Sequence, residues 1–267
     1  MADRGLAPDG TIAREGSLDH VPAQFAPVVE AARAHITRWF GSARLHSAYL
    51  YGSIPRGTAV PGVSDLDVLL ALHDDPTDAD RTEATAVETA LDVAFPQIDG
   101  VGVLLSGKGA LLSDLERHDL GFFVACLCTP LIGHDLARDL PRYRPTSLLA
   151  RETNGDLSTA LERWRVRAAH ASTQSDLKAL NRSVARRIVR TGLTLVMPWW
   201  GGWTSDLVRS AELFGGYYPE RSRQMRAAAA EAGAPTADPV VRAMLLDDLG
   251  PWLASEYAAV HGVKTAR

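Results

Sequence analysis

The residues best suited to chemistry lie close together in the first third of the chain. In Ser64-Asp65-Leu66-Asp67-Val68-Leu69-Leu70, two acids stand two apart in a run whose apolar residues predict a strand over Asp65 to Leu72. Alternation along a strand puts both carboxylates on one face, about 7 Å apart along the chain, and turns Leu66 and Val68 to the other. Like charges so placed repel, and they coexist where a divalent cation neutralises them; hard oxygen donors of this kind suit Mg²⁺. Just upstream, Tyr49-Leu50-Tyr51-Gly52-Ser53-Ile54-Pro55-Arg56-Gly57 closes a strand at Gly52-Ser53. Glycine lets a backbone N–H approach an anion, the Ser53 hydroxyl adds a donor, and Arg56 adds a cation. The expectation is a phosphate cradle beside a metal site.

The elements that must hold these residues can be read from periodicity. Phe25, Val28, Val29, Ala32, Ile36 and Phe40 recur at helical spacing over Pro22 to Phe40, and Gly41 stops the pattern. Leu45 to Tyr51 reads as a strand, Gly52 to Gly62 as a loop, Arg81 to Phe95 as a helix and Gln97 to Leu105 as a third strand. Leu111 to Arg117 and Gly121 to Ile132 are apolar runs that fit either strand or helix. After the linker-like Leu140 to Pro145, helical patterns follow over Leu148 to Ala171, Asp176 to Met197, Ser205 to Phe214, Pro219 to Ala232 and Pro239 to Val260, the last broken at Gly250-Pro251. The expected organisation is a loose tail over 1–21, an α/β (α+β) domain with a mixed sheet over 22–145, and a helical bundle over 146–267.

Composition bounds the function. With 267 residues, 46% of them hydrophobic, the chain has ample material for a core, which excludes a disordered or fibrous protein. The net charge of −4 argues against a general nucleic-acid binder, yet it is unevenly spread. Residues 175–230 hold nine basic and four acidic side chains, a net +5, against −9 in the remainder. An anionic ligand is therefore expected to draw on the helical half. Cys126 and Cys128 are too close for an ordinary disulfide and too few for a zinc site, and the eight histidines show no metal-ligand spacing. No signal-peptide core opens the sequence and its uncharged runs are too short to cross a bilayer, so the expected location is the cytoplasm, without membrane partners.

An apolar residue, Gly52-Ser53, eleven intervening residues and then Asp65-Leu66-Asp67-Val68 resemble the signature of the DNA polymerase β-like nucleotidyltransferase superfamily. The fuller form, LYGSIPRG followed by SDLD, looks like its bacterial small-molecule branch, which includes aminoglycoside nucleotidyltransferases and minimal nucleotidyltransferases. The resemblance implies a mixed sheet of five strands or fewer, with a third carboxylate on a neighbouring strand. Asp99 is the best candidate, opening a strand on which alternation groups it with Val101 and Val103; Asp99-Gly100 is also a turn dipeptide, and Asp92 and Asp114 are the other acids available.

The implied activity is transfer of a nucleoside monophosphate from a nucleoside triphosphate, ATP by expectation, to a hydroxyl of a small acceptor such as an aminoglycoside or other sugar-like antibiotic. Two Mg²⁺ ions would be held by Asp65, Asp67 and Asp99, with Gly52, Ser53, Arg56 and Ser64 around the phosphates. The alternatives are nucleotidylation of a macromolecule, a partner protein or a tRNA end, as in toxin–antitoxin-like relatives, and a catalytically inactive nucleotide-binding module.

The resemblance continues, less specifically, through Arg186 to Gly192, Trp203 to Leu207 and Tyr217 to Glu220, which are similar to blocks in the helical part of bacterial nucleotidyltransferases. Lys178, Arg182, Arg186 and Arg190 recur every four residues and so form one stripe on a helix, with Leu180, Val184 and Ile188 on its buried side. The stripe reads either as a solvated face or as a wall for nucleotide phosphates or an anionic acceptor, the acceptor then lying between the two domains. Trp199, Trp200, Trp203, Tyr217 and Tyr218 could stack a base or a sugar, although helix-to-helix core packing is the expected role for most of them.

Overall fold

The computed structural model describes residues 4–266, which divide into two compact units, one of Ala13–Tyr143 and one of residues 4–12 with 144–266. In the first unit, α1 (Ala26–Arg44), β1 (Leu45–Tyr51), β2 (Leu66–Leu72), α2 (Asp78–Ala94) and β3 (Val101–Gly107) are followed by the short helices α3 (Lys108–Leu111) and α4 (Leu120–Phe122). A wider helical turn, Phe123–Leu127, then leads into β4 (Thr129–Gly133), so the ambiguous apolar run is helix first and strand second. The sheet is mixed, in the order β3-β2-β1-β4: β1 runs antiparallel to both β2 and β4, while β2 and β3 are parallel.

Both faces of β2 are apolar over most of its length because both are covered. Leu66, Val68 and Leu70 join Val28, Ile36 and Phe40 of α1, Val87 and Leu91 of α2, and Val101, Val103 and Leu105 of β3 in one core. Leu69 and Ala71 face the other way, into a smaller cluster with Tyr49, Leu111, Val124 and Leu136. The α1 pattern breaks where the sequence predicts: Gly41 has φ 59°, a left-handed conformation that interrupts the helix before β1.

Electrostatic anchors complete the unit. Arg44, at the end of α1, makes a forked contact to buried Asp80 in the first turn of α2, Nε to Oδ1 at 2.7 Å and a terminal nitrogen to Oδ2 at 2.5 Å. Asp80 also closes a capping box with Thr77. Residues 13–21, expected to be a loose tail, are instead fastened to this unit. Arg14 grips Asp135 at 2.9 and 3.1 Å and donates to the Ala125 carbonyl, and the Glu15 N–H donates to the Cys126 carbonyl. Burial is the largest influence on the Asp135 carboxyl and pushes it up, but the hydrogen bonds from Arg14 and the Ala137 N–H, together with the Arg14 and Arg138 charges, hold the group below its ordinary value.

The second unit is helical: α5 (Ser147–Asn154), α6 (Leu157–His170), α7 (Gln174–Trp200), α8 (Leu207–Tyr217), α9 (Ser222–Gly233), α10 (Pro239–Ala243) and α11 (Gly250–His261). The pattern over Leu148 to Ala171 is two helices, divided at Gly155, whereas the expected break at Gly250-Pro251 is absent: Leu249 and Gly250 keep helical backbone angles, and α10 runs through a wider helical turn over Met244–Leu249 into α11. Helix α7 is the axis, capped by Thr173 and Asp176 and ended by Gly201 at φ 68°. Residues 4–12 belong here; the Trp203 N–H donates to the Arg4 carbonyl at 2.8 Å. Of the aromatics, Trp203 is core at 7% exposure, but Trp199 and Tyr217 lie on the surface at 52% and 43%. Among the described residues no helix is long and apolar enough to cross a membrane.

Hydrogen bonds from Arg44 hold the Asp80 carboxyl well below the usual carboxylate range, so the pair contributes stability that is full above about pH 4 and is lost as pH falls below it. Asp80→Asn should therefore lower the thermal midpoint by several degrees at pH 7, and the gap from wild type should narrow in acid. A pH-independent gap would show that the ionised form is not what matters.

Candidate active site

The pairing of β1 with β2 builds the site. Tyr51 stands opposite Asp67, so Gly52 is the residue that leaves the strand directly beneath that carboxylate. A side chain at position 52 would meet Asp67 Oδ2 at 2.5 Å, and the backbone there has φ 84°. Glycine is required twice over, by close approach and by conformation. The strand expected from Asp65 begins at Leu66, so Asp67 lies on the β2 face that carries Leu69 and Ala71 and Asp65 immediately precedes it, beside Gly100; further along β2 that face is covered, but at the two acids it opens and both are half-buried.

The loop after β1 is held from outside. The Ser17 N–H donates to the Pro55 carbonyl at 2.9 Å, and within the loop the Thr58 N–H donates to the Ser53 carbonyl at 3.0 Å. Arg56 reaches Glu15 at 3.7 Å, and its Nε is buried without a hydrogen-bond partner among the described residues. Ser64 braces the approach to β2: its Oγ accepts from the Val60 N–H at 2.9 Å and its carbonyl accepts from the Asp99 N–H at 3.1 Å.

The expected place of Asp99 is corrected. The third strand starts at Val101, and Asp99 is exposed in the turn before it. The strand parity also runs the other way, because Val101 and Val103 pack with Leu66 and Val68 in the core. The positions of β3 that share a face with the acids are the even ones, and opposite Asp67 stands Gly102. Among the described residues no group of three His, Cys, Asp or Glu side chains is placed to hold a metal. The two acids on the open face are Asp65 and Asp67. Such a pair fits Mg²⁺, which is commonly bound by one or two carboxylates together with substrate phosphates.

In the helical unit, Lys178, Arg182, Arg186 and Arg190 lie along α7, with Leu180, Val184 and Ile188 buried. The adjacent Arg187 is structural, paired with Asp156 at the start of α6 and donating to the Thr153 carbonyl. Gly100 and Gly102 are the residues that sequence reasoning passed over. Their spacing was visible, but only the parallel register to β2 gives it meaning.

No protein-family model matches the sequence, and no curated protein matches it. Among solved structures, the crystal structure of spectinomycin adenyltransferase AAD(9) from Enterococcus faecialis with ATP and spectinomycin is similar, with a TM-score of 0.52 at 15% identity, covering 88% of this chain and 98% of that one. The chain thus has a nucleotidyltransferase fold, a mixed four-stranded sheet with a helical C-terminal region.

Two glycines separate conformation from contact. Gly62 has φ 71° with nothing within 4 Å of an added Cβ, whereas Gly52 has the strain and the carboxylate. Gly62→Ala should cost about 1–2 kcal/mol in urea unfolding from backbone strain alone. Gly52→Ala should cost more, and the excess should vanish in an Asp67→Ala background, a coupling that a double-mutant cycle measures.

Proposed function

We propose that the protein transfers a nucleoside monophosphate from a nucleoside triphosphate to a hydroxyl of a small-molecule acceptor, releasing pyrophosphate. The observation that carries this reading is the placement of Asp65 and Asp67 on one open strand face, against the glycine that ends β1, in a fold shared with an adenyltransferase. That enzyme was crystallised with ATP and spectinomycin, which supports ATP as donor and a sugar-like antibiotic as the acceptor class.

Asp65 and Asp67 would hold Mg²⁺, one or two ions, which when bound neutralises phosphate charge and lowers the pKa of the attacking hydroxyl. The chain's own contribution is positioning. Gly52 brings backbone next to the carboxylate pair, and Ser53 offers a hydroxyl for the β and γ phosphates. The brace from residues 14–17 keeps that loop in place, so donors are oriented before the substrate arrives and little reorganisation is needed during transfer. The basic side chains along α7 are suited to an anionic ligand and also support a second reading, in which the acceptor is a macromolecule such as RNA.

Asp65→Asn and Asp67→Asn should each abolish Mg²⁺-dependent pyrophosphate release, assayed with each nucleoside triphosphate against aminoglycosides, other sugars, tRNA and proteins. Activity within about threefold of wild type in both variants would overturn the mechanism. Charge reversal at Arg186 and Arg190 should weaken nucleotide or acceptor affinity by about tenfold or more while the fold persists, as expected for lost charge-assisted hydrogen bonds. Unchanged affinity in titration for both substrates would make the stripe a solvated face.

A further inference from the structure

Two arginines of the α/β unit hold their acids in closed forks, Arg44 on Asp80 at 2.7 and 2.5 Å and Arg14 on Asp135 at 2.9 and 3.1 Å, each with two nitrogens on two oxygens. Arg56 is placed differently. Glu15 stands 3.7 Å from one of its terminal nitrogens, inside ion-pair range but beyond hydrogen-bond length, and its Nε is buried with no acceptor among the described residues. The carboxylate balances the charge without filling the fork. A buried N–H left unpaired is costly, and an anion that offers adjacent oxygens to Nε and a terminal nitrogen relieves that cost.

The backbone around the pair is pinned on every side. The Ser17 N–H holds the Pro55 carbonyl, a Cβ at Gly57 would lie 3.0 Å from the His20 carbonyl, and a side chain at Gly16 would collide with Thr129 Oγ and press on Pro55. The turn that carries Arg56 closes on itself, the Thr58 N–H donating to the Ser53 carbonyl at 3.0 Å and the Gly57 N–H to the Ile54 carbonyl at 3.1 Å. Arg14 and the Glu15 N–H fix the crossing segment to Asp135, Ala125 and Cys126. The two side chains can therefore part without movement of the loop or of the segment that crosses it. Their exposures, 29% for Arg56 and 15% for Glu15, put the pair at the edge of solvent, where an incoming anion reaches it.

We propose that Glu15 is a built-in competitor for Arg56: its carboxylate keeps the place of an oxyanion, and the polyphosphate of the nucleotide displaces it and takes the fork through Nε and a terminal nitrogen. This rests on the nucleotidyl-transfer reading of the adjoining site. The N-terminal segment is then a brake on substrate binding through one side chain and a brace of the loop through its backbone. Before a nucleotide binds, the carboxylate neutralises a cation that would otherwise attract small anions, and a polyphosphate, with more charge and paired oxygens, displaces it. The two roles open to the Glu15 side chain differ in sign. A competitor, once removed, leaves the nucleotide bound more tightly, whereas a residue that only shapes the loop leaves it bound more weakly.

The test titrates the full chain, with Mg²⁺ present, with α,β-methylene-ATP, a triphosphate that cannot transfer its nucleotide. Glu15→Gln should raise affinity for the analogue by about threefold to tenfold, as expected for a partly exposed ion pair released from competition. Arg56→Gln should lower it by about tenfold or more, and Arg56→Lys, which keeps the charge but not the fork, should fall between. In the Arg56→Gln background, Glu15→Gln should change affinity by less than about twofold, a coupling that the double-mutant cycle isolates. If Glu15→Gln does not fold, Glu15→Asp, which withdraws the carboxylate by one methylene, should show a smaller gain of the same sign. A loss or no change on removing Glu15, or a gain that survives Arg56→Gln, would overturn the proposal while leaving nucleotidyl transfer standing. Absence of analogue binding to wild type and to every folded variant would remove both.

Discussion

The approach of the Asp67 carboxylate to the backbone at Gly52 is the constraint around which the α/β unit is arranged. An oxygen at the position of a missing Cβ leaves no freedom in the register of β1 and β2, since a shift of one residue would drive a side chain into the acid. The same register sends Leu66, Val68 and Leu70 into the core under α1 and α2. Hydrophobic burial and the placing of charge are thus met by one alignment, and the apolar face holds the acids where water and ligands reach them. The Arg44–Asp80 fork ties the two helices on that side, while Arg14 and Asp135 tie the N-terminal segment that steadies the loop.

What local pattern carries, the sequence displays well. Alternation in Asp65 to Leu72, the Gly-Ser turn after β1 and the apolar positions of α1 each depend on neighbours a few residues away; the strand and the turn stand within a residue or two, and the apolar positions of α1 are buried as expected although the helix begins four residues later, at Ala26. Asp99 fails for a different reason. Alternation alone says that Asp99, Val101 and Val103 go together; it does not say which way the group faces, and in a strand whose odd positions are valines the core takes them. Placing the carboxylate on the open side therefore required the valines to be on the open side as well. The parallel register that resolves this joins segments separated by α2, and no short-range signal encodes it. The N-terminal segment was unreadable for a related reason: it has no periodicity, and its hold comes from an ion pair spanning 121 residues.

The helical unit relies on buried polar contacts as well as on packing. Tyr257 donates to the Ala150 carbonyl and lies 3.0 Å from the Thr194 hydroxyl, which also accepts from Asn154, so α5, α7 and α11 share one satisfied network. Such a network specifies an alignment of helices that apolar faces alone would leave degenerate. It gives the long α7 a fixed rotation, and with it a fixed direction for the basic residues along its length. The exposed Trp199 and Tyr217, whose rings lie 6.0 Å apart near the end of that helix, show how little an aromatic in a helical pattern says about burial.

Both of the chain's cysteines lie in the α/β unit, and both are buried. Burial pushes the Cys126 thiol up to about 12 and holds Cys128 well above its ordinary value, so neither forms the reactive thiolate at neutral pH while the unit is closed. Cys126 accepts the backbone bond from Glu15 through its carbonyl, and Cys128 sits in the cluster against Leu69 and Ala71. Their alkylation is consequently a clock for the opening of one unit with no background from the other. The rate at which iodoacetamide consumes them reports the local breathing of the layer that lies over the second face of the sheet.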